Sequence, residues 1–202
     1  MTAALRLRFP RLAALAAVLL LCAVPAFAGG AQVTVLDPTP GATLVRVSMD
    51  GYDSTPVRID GAAWLELSIA REGYTDEVGA PRLPRVSRSV VIPDREDVSV
   101  RVVSVRYHDV PGLAVAPGRG PIPRTQDPSS VPYAFGPAYA QDAWYPGELV
   151  AAREPYVMRD VRGAVVDVNA LQYNPQARVL RVYDEIVFRV EASGAAASNA
   201  LD

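Results

Sequence analysis

The sequence predicts an all-β fold made of short antiparallel strands, and three observations support this class. Proline and glycine are abundant, with 18 and 14 residues in a chain of 202, which is high for a helical protein. Valine-rich runs favour strands, because β-branched side chains pack well on a pleated surface. Several segments alternate apolar and polar residues with a period of two. Half of the residues are hydrophobic, so the chain is long enough for one ordinary domain with a good core.

The segments before residue 75 predict a meander of neighbouring hairpins. Residues 32–36 and 44–49 form two strands, separated by a proline-rich turn over residues 37–41. A second pair of strands flanks the hairpin-turn signal Asp60-Gly61. The alternation assigns one face of these strands to Val45, Val47, Met49, Leu65, Leu67 and Ile69.

Residues 79–93 mark a change from short strands and turns to a longer β-rich body. Pro81 and Pro84 each hold φ at about −65° and push the preceding residue into an extended conformation. The segment is therefore a stiff extended lead rather than a helix. Residues 86–92 follow as a strand, which Pro93 ends.

The next strand contains one change of phase. Apolar residues at even positions over 98–102 give way to apolar residues at odd positions over 103–107. Side chains of a strand alternate strictly and no turn residue intervenes, so the slip indicates a β-bulge at Val102-Val103. Two separate strands are the alternative.

A long loop occupies residues 110–156, which lack periodicity and are crowded with proline and glycine. A loop of this length inside a compact domain is usually functional or disordered. Its second half carries aromatic side chains that are costly to leave in water, so we expect part of it to pack against the sandwich. These residues are Tyr133, Phe135, Tyr139, Trp144 and Tyr145.

Two strands, residues 161–173 and 178–191, close the domain around the turn Asn174-Pro175. Asp184 interrupts the apolar face of the second strand and marks a kink or an edge position. Residues 192–202 are small, polar and aperiodic, which is typical of a flexible linker or tail, so the domain spans residues 29–191. The apolar residues predicted to share one face are Leu180, Val182, Ile186, Phe188 and Val190.

Residues 1–28 have the layout of a secretory signal peptide. Three arginines precede an apolar run over residues 12–24, and small residues predict cleavage after Ala28. As a helix the run reaches only about 20 Å, against a hydrocarbon core of about 30 Å. A lipoprotein signal through Cys22 is a weaker alternative, because Leu21 stands where a small residue is needed. We predict export to the periplasm, the cell surface or the exterior, without a membrane span in the mature form.

The mature chain is predicted to be mildly acidic. Removing the first 28 residues takes three arginines and no acid from the formal charge of −2, which leaves −5. This charge argues against nucleic acid as a partner, because such a partner requires a clustered basic surface. Cys22 is the only cysteine, so the mature chain has no disulfide, thiol nucleophile or cysteine-based metal site.

The residues do not indicate catalytic or metal chemistry. His108 is the only histidine, and neighbouring Asp109 points to the opposite face of a strand. A Ser-His-Asp triad is therefore unsupported, and a satisfied surface or loop histidine is preferred. One imidazole without thiolates or clustered carboxylates gives no metal-ligand set. We predict no catalytic residue, no metal and no cofactor.

A set of proline-containing motifs follows in order from residue 79 onwards. The first comprises Gly79, Pro81, Leu83 and Pro84, with Pro93 at the end of the next strand. Together with the later motifs, it resembles the propeptide of gingipain-type cysteine peptidases over roughly residues 32–191. The later motifs are Pro121-Ile122-Pro123, Tyr145-Pro146, Arg162-Gly163 and Tyr173-Asn174-Pro175.

The resemblance implies an antiparallel, jelly-roll-like β-sandwich with one long Pro/Gly-rich loop. It also implies a prodomain that follows a secretory signal, assists folding of a cysteine peptidase and keeps that peptidase latent. The peptidase partner lies downstream in the same chain or acts as a separate molecule, and the catalytic residues belong to it.

The long loop contains two arginines that are candidates for blocking such a peptidase. In family members that cleave after arginine, a guanidinium presented to the specificity pocket meets a buried carboxylate. Arg119 and Arg124 lie among prolines that stiffen the loop. The alternative function is a secreted β-sandwich binding or adhesion module that uses residues 133–145 as an aromatic platform. Solvent exposure of Trp144 distinguishes the two hypotheses.

Overall fold

The computed structural model describes residues 29–39, 41–75 and 77–200. The predicted signal peptide, including Cys22 and the cleavage site after Ala28, lies outside these residues. The described part contains two short 3-10 helices, Pro128–Ser130 and Pro137–Ala140, and twelve strands. The strands are β1 (Ala31–Thr39), β2 (Ala42–Met49), β3 (Asp53–Ile59), β4 (Ala62–Ser68), β5 (Gly73–Tyr74), β6 (Pro84–Val91), β7 (Glu96–Pro111), β8 (Val150–Ala152), β9 (Tyr156–Met158), β10 (Val161–Val168), β11 (Leu171–Asn174) and β12 (Val179–Ala195).

Two five-stranded sheets pack against each other as a β-sandwich. The first has the order β1-β2-β12-β11, and β7 pairs along the other edge of β12. The second has the order β5-β6-β10-β8, and β9 also pairs with β10. Strands β3 and β4 form a separate hairpin. The ladders between these strands are antiparallel, which confirms the predicted all-β antiparallel class.

The main core lies between the two sheets and consists of branched aliphatic side chains. Val45 and Val47 of the first sheet meet Val86, Val166 and Val168 of the second, and each is at most 4% exposed. A second cluster lies where β4, β11 and β12 meet Leu83 and Val115, and it also includes Leu67, Leu171 and Leu180. Each fully buried side chain of this size contributes about 1.5–3 kcal/mol, so these clusters dominate the stability of the fold.

The β-bulge predicted in β7 is confirmed. Val102 lies opposite Phe188 and Ser104 lies opposite Val187, so Val103 has no partner in the register. The extra residue reverses the alternation of side chains, as the slip of phase in the sequence indicated.

A second bulge in β12 confirms a kink at Asp184 but corrects the prediction of one shared apolar face. Tyr183 pairs with Tyr107 and Glu185 pairs with Arg106, so Asp184 is the extra residue. Because a bulge exchanges the two faces of a strand, the apolar residues on its two sides enter different clusters. Leu180 and Val182 belong to the second cluster, whereas the main core takes Ile186, Phe188 and Val190.

The prediction of a single strand over residues 161–173 is wrong. Strand β10 belongs to the second sheet and β11 to the first, and the chain crosses between them at Asn169 and Ala170. At this crossing the Asn169 side-chain amide donates to the Glu148 carbonyl at 2.7 Å, whereas its buried Oδ1 accepts no hydrogen bond. Residues on both sides of the crossing are apolar and buried, because both sheets face the same interior. The sequence pattern therefore does not reveal where the chain leaves one sheet for the other.

The predicted meander is replaced by two separate hairpins. Strand β1 pairs with β2 as far as Thr39 opposite Ala42, so the predicted turn over residues 37–41 is wrong for residues 37–39. Pro38 is tolerated in β1 because this strand lies at the edge of its sheet. Strand β2 then pairs with β12 rather than with β3, since this long-range pairing places Val45 and Val47 in the main core.

Ordered backbone contacts continue past residue 191, where the sequence predicts the end of the domain. Strand β12 continues to Ala195, beyond the boundary expected at residue 191. The Ala196 N–H then donates to the Arg95 carbonyl at 2.9 Å. The small residues of this segment gave no sign of these partners, because the contacts use its backbone.

Candidate functional site: the long loop and its anchor

The long loop, residues 112–149, is held on both sides by residues 79–84, hereafter the anchor segment. Gly79 donates its N–H to the Gly118 carbonyl at 2.9 Å, and Gly118 donates back to the Ala80 carbonyl at 2.8 Å. On the far side, the Gly136 N–H donates to the Gly79 carbonyl at 2.8 Å. Gly79 has a φ of +80°, a conformation that favours glycine. The anchor segment therefore joins the two limbs of the loop, the near limb at Gly118 and the far limb at Gly136.

The anchor segment is fixed in the domain by hydrogen bonds of its polar groups and by burial of its apolar groups. The Thr75 hydroxyl donates to the Pro81 carbonyl at 3.2 Å and accepts the Leu83 N–H at 3.1 Å. Thr75 also donates its backbone N–H to the Leu83 carbonyl at 2.9 Å. Leu83 is fully buried in the second cluster, and Pro81 and Pro84 are buried beside it. These contacts explain why the residues Gly79, Pro81, Leu83 and Pro84 occur together.

Arg119 points inward and connects the loop to itself and to β4. Its guanidinium donates to the Pro128 carbonyl at 2.6 Å and lies 4.4 Å from the centre of the Tyr133 ring. It also lies 3.8 Å from the Glu66 carboxylate, which accepts the Tyr133 hydroxyl at 2.8 Å. The Arg119 side chain is only 20% exposed. Arg119 is therefore committed to contacts within the domain.

Arg124 is exposed at the tip of the same loop. It follows Pro123 in a turn that the Gln126 N–H closes by donating to the Pro123 carbonyl at 2.9 Å. Asp127 then caps the 3-10 helix, because its carboxylate accepts both the backbone N–H and the hydroxyl of Ser129. These bonds hold the pKa of Asp127 below its ordinary value. The structure thus separates the two candidate arginines: Arg119 supports the loop, and Arg124 faces outward from it.

Part of the loop packs against the sandwich, as expected, because Tyr139 and Tyr145 contact the second cluster. Phe135 lies between Trp64 of β4 and Tyr139, with ring centres 4.7 Å and 4.9 Å away. The Tyr139 hydroxyl donates to the Val115 carbonyl at 2.7 Å, and burial raises the pKa of this hydroxyl. The loop is consequently attached by side chains as well as by the anchor segment.

Trp144 does not form an open aromatic platform. It is half-buried, and the guanidinium of Arg181 lies 4.2 Å from its ring centre. An adhesion platform requires a free aromatic face, and a cation already covers this one. The exposure of Trp144 therefore favours the prodomain over the binding module.

The described residues do not bring together a catalytic or metal-binding group around the only histidine. His108 Nδ1 lies 3.1 Å from the Asp184 carboxylate of the β12 bulge, and both side chains are substantially exposed. Asp109 instead accepts from Arg181 at 2.8 Å, as expected from its position on the other face of β7. Across residues 29–39, 41–75 and 77–200, no three His, Cys, Asp or Glu side chains are placed to hold a metal ion. No helix in this part of the chain has the length and apolarity to cross a membrane.

The fold and the loop define a class: a β-sandwich that presents an outward arginine on an anchored, proline-stiffened loop. The Propeptide_C25 family model matches residues 26–201. The chain therefore belongs to the Propeptide_C25 family, as its resemblance to gingipain-type propeptides indicated.

Curated relatives agree with this assignment. Gingipain R1 of Porphyromonas gingivalis is 33% identical in an alignment of 182 residues that covers 85% of this chain and 18% of the relative. Gingipain R2 of the same organism is 35% identical over 172 residues, which are 84% of this chain and 23% of the relative. The chain thus spans about a fifth of the length of these two relatives.

Two solved structures share the fold. The complex of Porphyromonas gingivalis RgpB pro- and mature domains matches with a TM-score of 0.81 and 32% identity, over 85% of this chain and 90% of that chain. A structure on the zymogenic latency of gingipain K from the same organism matches with a TM-score of 0.69 and 25% identity, over 83% of this chain and 100% of that chain.

Sequence reasoning missed two features of the site. It treated Arg119 and Arg124 as equivalent, because both lie among prolines in an aperiodic loop. It also assigned no contact between the anchor segment and Gly136, although a glycine followed by proline in a loop signals a special backbone position. Pairing of residues so distant in sequence leaves no local pattern.

Proposed function

We propose that this chain is the N-terminal prodomain of a secreted gingipain-like cysteine endopeptidase. It is not itself catalytic, and it assists folding of the peptidase and keeps it latent. Family membership supports this function, as do the two structural relatives, whose descriptions concern a complex of pro- and mature domains and zymogenic latency. Residues 1–28 direct export, cleavage follows Ala28, and the prodomain acts outside the cytoplasm.

The observation that carries this proposal is the outward position of Arg124 on a loop that is anchored at both limbs. The Arg124 guanidinium enters the specificity pocket of the peptidase and meets a carboxylate there through paired, charge-assisted hydrogen bonds. Prolines and the bonds of the anchor segment order the loop before it binds, which reduces the entropy lost on docking.

The same turn explains how the loop binds like a substrate but is cut slowly. Arg124 and Thr125 are the central residues of the turn that the Gln126 N–H closes. A peptidase that cleaves after arginine acts on the bond between these two residues, and it requires this bond in a reactive geometry. The turn holds the bond away from that geometry, so the loop occupies the pocket without rapid hydrolysis.

The proposal is tested by adding the chain without its first 28 residues to an active arginine-specific peptidase of the gingipain type. We expect concentration-dependent inhibition of the cleavage of a small arginyl substrate. A peptidase unrelated in structure but with the same preference for arginine, such as trypsin, is the control and should keep its activity on the small substrate. Unchanged activity of the gingipain-type peptidase at micromolar prodomain would contradict the proposal.

A further inference from the structure

Arg162, near the start of β10, is fully buried although it carries a positive charge. An arginine side chain has five N–H donors in a planar fork, and burial is costly unless these donors are satisfied. All five donors of Arg162 have acceptors in the structure. The acceptors are the carbonyls of Pro93, Glu96, Ser198 and Asn199 and the carboxylate of Asp97.

Two of these five acceptors belong to the segment that follows β12. Nε of Arg162 donates to the Asn199 carbonyl at 2.7 Å, and Nη2 donates to the Ser198 carbonyl at 2.9 Å. Asp97, which accepts from Nη2 at 2.9 Å, also accepts the Ala197 N–H at 2.9 Å. These two bonds hold the pKa of Asp97 below its ordinary value, with the Ala197 N–H contributing most.

We propose that Arg162 and Asp97 form a binding site for the backbone of residues 196–199, with the Arg162 guanidinium oriented by the carbonyls of Pro93 and Glu96. We call this site the Arg162 clamp. It takes an extended piece of main chain of the same molecule, and it determines where the polypeptide leaves the domain.

The composition of the bound segment agrees with recognition of its backbone. Ala196, Ala197 and Ser198 are small, so their main chain approaches the guanidinium without steric conflict. Asn199 has a φ of +51°, a region in which asparagine is enriched among residues other than glycine. Its side chain donates to the Pro155 carbonyl at 2.6 Å, which ends the bound segment.

Lysine is not equivalent to arginine at position 162. An ammonium group has three donors and no planar fork, so it satisfies at most part of this set of acceptors. The clamp also joins the turn between β6 and β7 to β10, because Pro93 lies in that turn and Glu96 is the first residue of β7. Pro93 consequently does more than end a strand, since its carbonyl accepts from Nη1 at 2.9 Å.

The clamp has a consequence for latency that rests on the proposed function. If the peptidase follows in the same chain, its tether begins after Asn199 instead of after residue 191. Residues 192–199, of which β12 holds the first four and the clamp the last four, remove about 26 Å of extended reach, at about 3.3 Å per residue. A shorter tether that still spans the two domains raises the effective concentration of the prodomain at the peptidase.

The test is hydrogen exchange, followed by mass spectrometry, on the chain without its first 28 residues. We expect the Ala196 and Ala197 amides to be protected in the wild type, because both donate to acceptors within the domain. Arg162→Lys and Asp97→Ala should each accelerate exchange of these amides by roughly tenfold or more. Arg101→Gln, which removes a surface contact with Glu191 at 3.6 Å, is the matched control and should retain the wild-type protection.

Unprotected amides at residues 196 and 197 in the wild type overturn the clamp, as does wild-type protection in the folded variants. If Arg162→Lys does not fold, Asp97→Ala decides alone, because Asp97 is partly exposed and its truncation leaves no cavity in the core. The exchange measurement needs no peptidase. A failed clamp with intact inhibition leaves the proposed function standing, and an intact clamp without inhibition overturns that function alone.

Discussion

Gly136 donates its backbone N–H to the carbonyl of Gly79 at 2.8 Å, although the two residues are far apart in sequence. A Cβ atom on Gly79 would lie 3.0 Å from the Gly136 nitrogen, which is closer than nine in ten real contacts of a Cβ atom. This contact closes the loop that carries Arg124. The position of Arg124 therefore depends on Gly79, which has no functional side chain.

Replacing Gly79 by alanine should destabilise the domain and release the far limb of the loop. The positive φ costs an alanine about 1–2 kcal/mol, and the short approach to Gly136 adds to this cost. Urea unfolding measures the loss, and cleavage of the loop by a nonspecific protease measures the release. Gly147→Ala is the control, because a Cβ there meets no atom within 4 Å. Equal stability of the two variants would contradict the role given to Gly79.

The two loop arginines should respond differently to truncation. Arg124→Ala should raise the inhibition constant by at least tenfold, about 1.4 kcal/mol, without changing the free energy of unfolding. Arg124→Lys should recover inhibition only in part, because lysine lacks the planar fork. Inhibition assays and urea unfolding are measured on the same preparations. An unchanged inhibition constant for Arg124→Ala would show that this residue does not occupy the pocket.

Arg119→Ala should act through the loop itself. It removes the bond to the Pro128 carbonyl and the contact with Tyr133, so we expect a loss of about 1–3 kcal/mol of stability and faster proteolysis of residues 119–131. Weaker inhibition should accompany this disorder. Weaker inhibition without faster proteolysis would instead assign Arg119 a direct contact with the peptidase.

Truncating Leu83 tests the support of the anchor segment. Leu83→Ala leaves a cavity in the second cluster and should cost about 2–5 kcal/mol in the free energy of unfolding. Val91→Ala, at a position that is 79% exposed, should cost less than about 0.5 kcal/mol. Chemical denaturation distinguishes these values. A small effect of Leu83→Ala would mean that the anchor segment is not part of the cooperative core.

Folding stability should decrease in alkali because of buried tyrosines. Burial, assisted by the charge of Glu77, raises the pKa of Tyr145 to about 12. In the unfolded chain this hydroxyl ionises near pH 10, so the unfolded state loses the proton first. Stability is therefore fully present below about pH 10 and is lost progressively as the pH approaches about 12. Burial raises the pKa of Tyr139 and Tyr173 as well, so these residues act in the same direction.

The urea midpoint at about pH 9 and about pH 11 measures this effect. We expect the wild type to have a lower midpoint at the higher pH, and Tyr145→Phe to show a smaller decrease. The absorbance of tyrosinate in the native state provides a second measurement. An identical decrease in Tyr145→Phe and in the wild type would contradict the assignment to Tyr145.

Much of the strand structure was predictable because it depends on neighbouring residues. The change of parity at Val103 indicated its bulge, and Asp184 among valines and leucines indicated a kink. Yet the shared face assigned to Leu180 and Phe188 was wrong. After a bulge, every later side chain of the strand points to the opposite face. The alternation of apolar residues by itself does not show at which residue this change occurs.

The candidate site was predictable only as a region. The length of the loop, its prolines and its aromatic residues indicated that residues 110–156 matter. The sequence did not show which of Arg119 and Arg124 faces outward. Arg119 is turned inward by contacts with Pro128, Tyr133 and Glu66, and these contacts exist only in the folded structure.

The sequence by itself determined the all-β class, the strand-forming segments, the stiff lead through Pro81 and Pro84, and the family resemblance. These properties follow from backbone preferences and from side-chain alternation, which act over a few residues. Only the tertiary structure decided which strands pair, which arginine faces outward and where Arg162 finds its acceptors. Those contacts join residues far apart along the chain, and burial in a common core selects among pairings that local preferences leave equally possible.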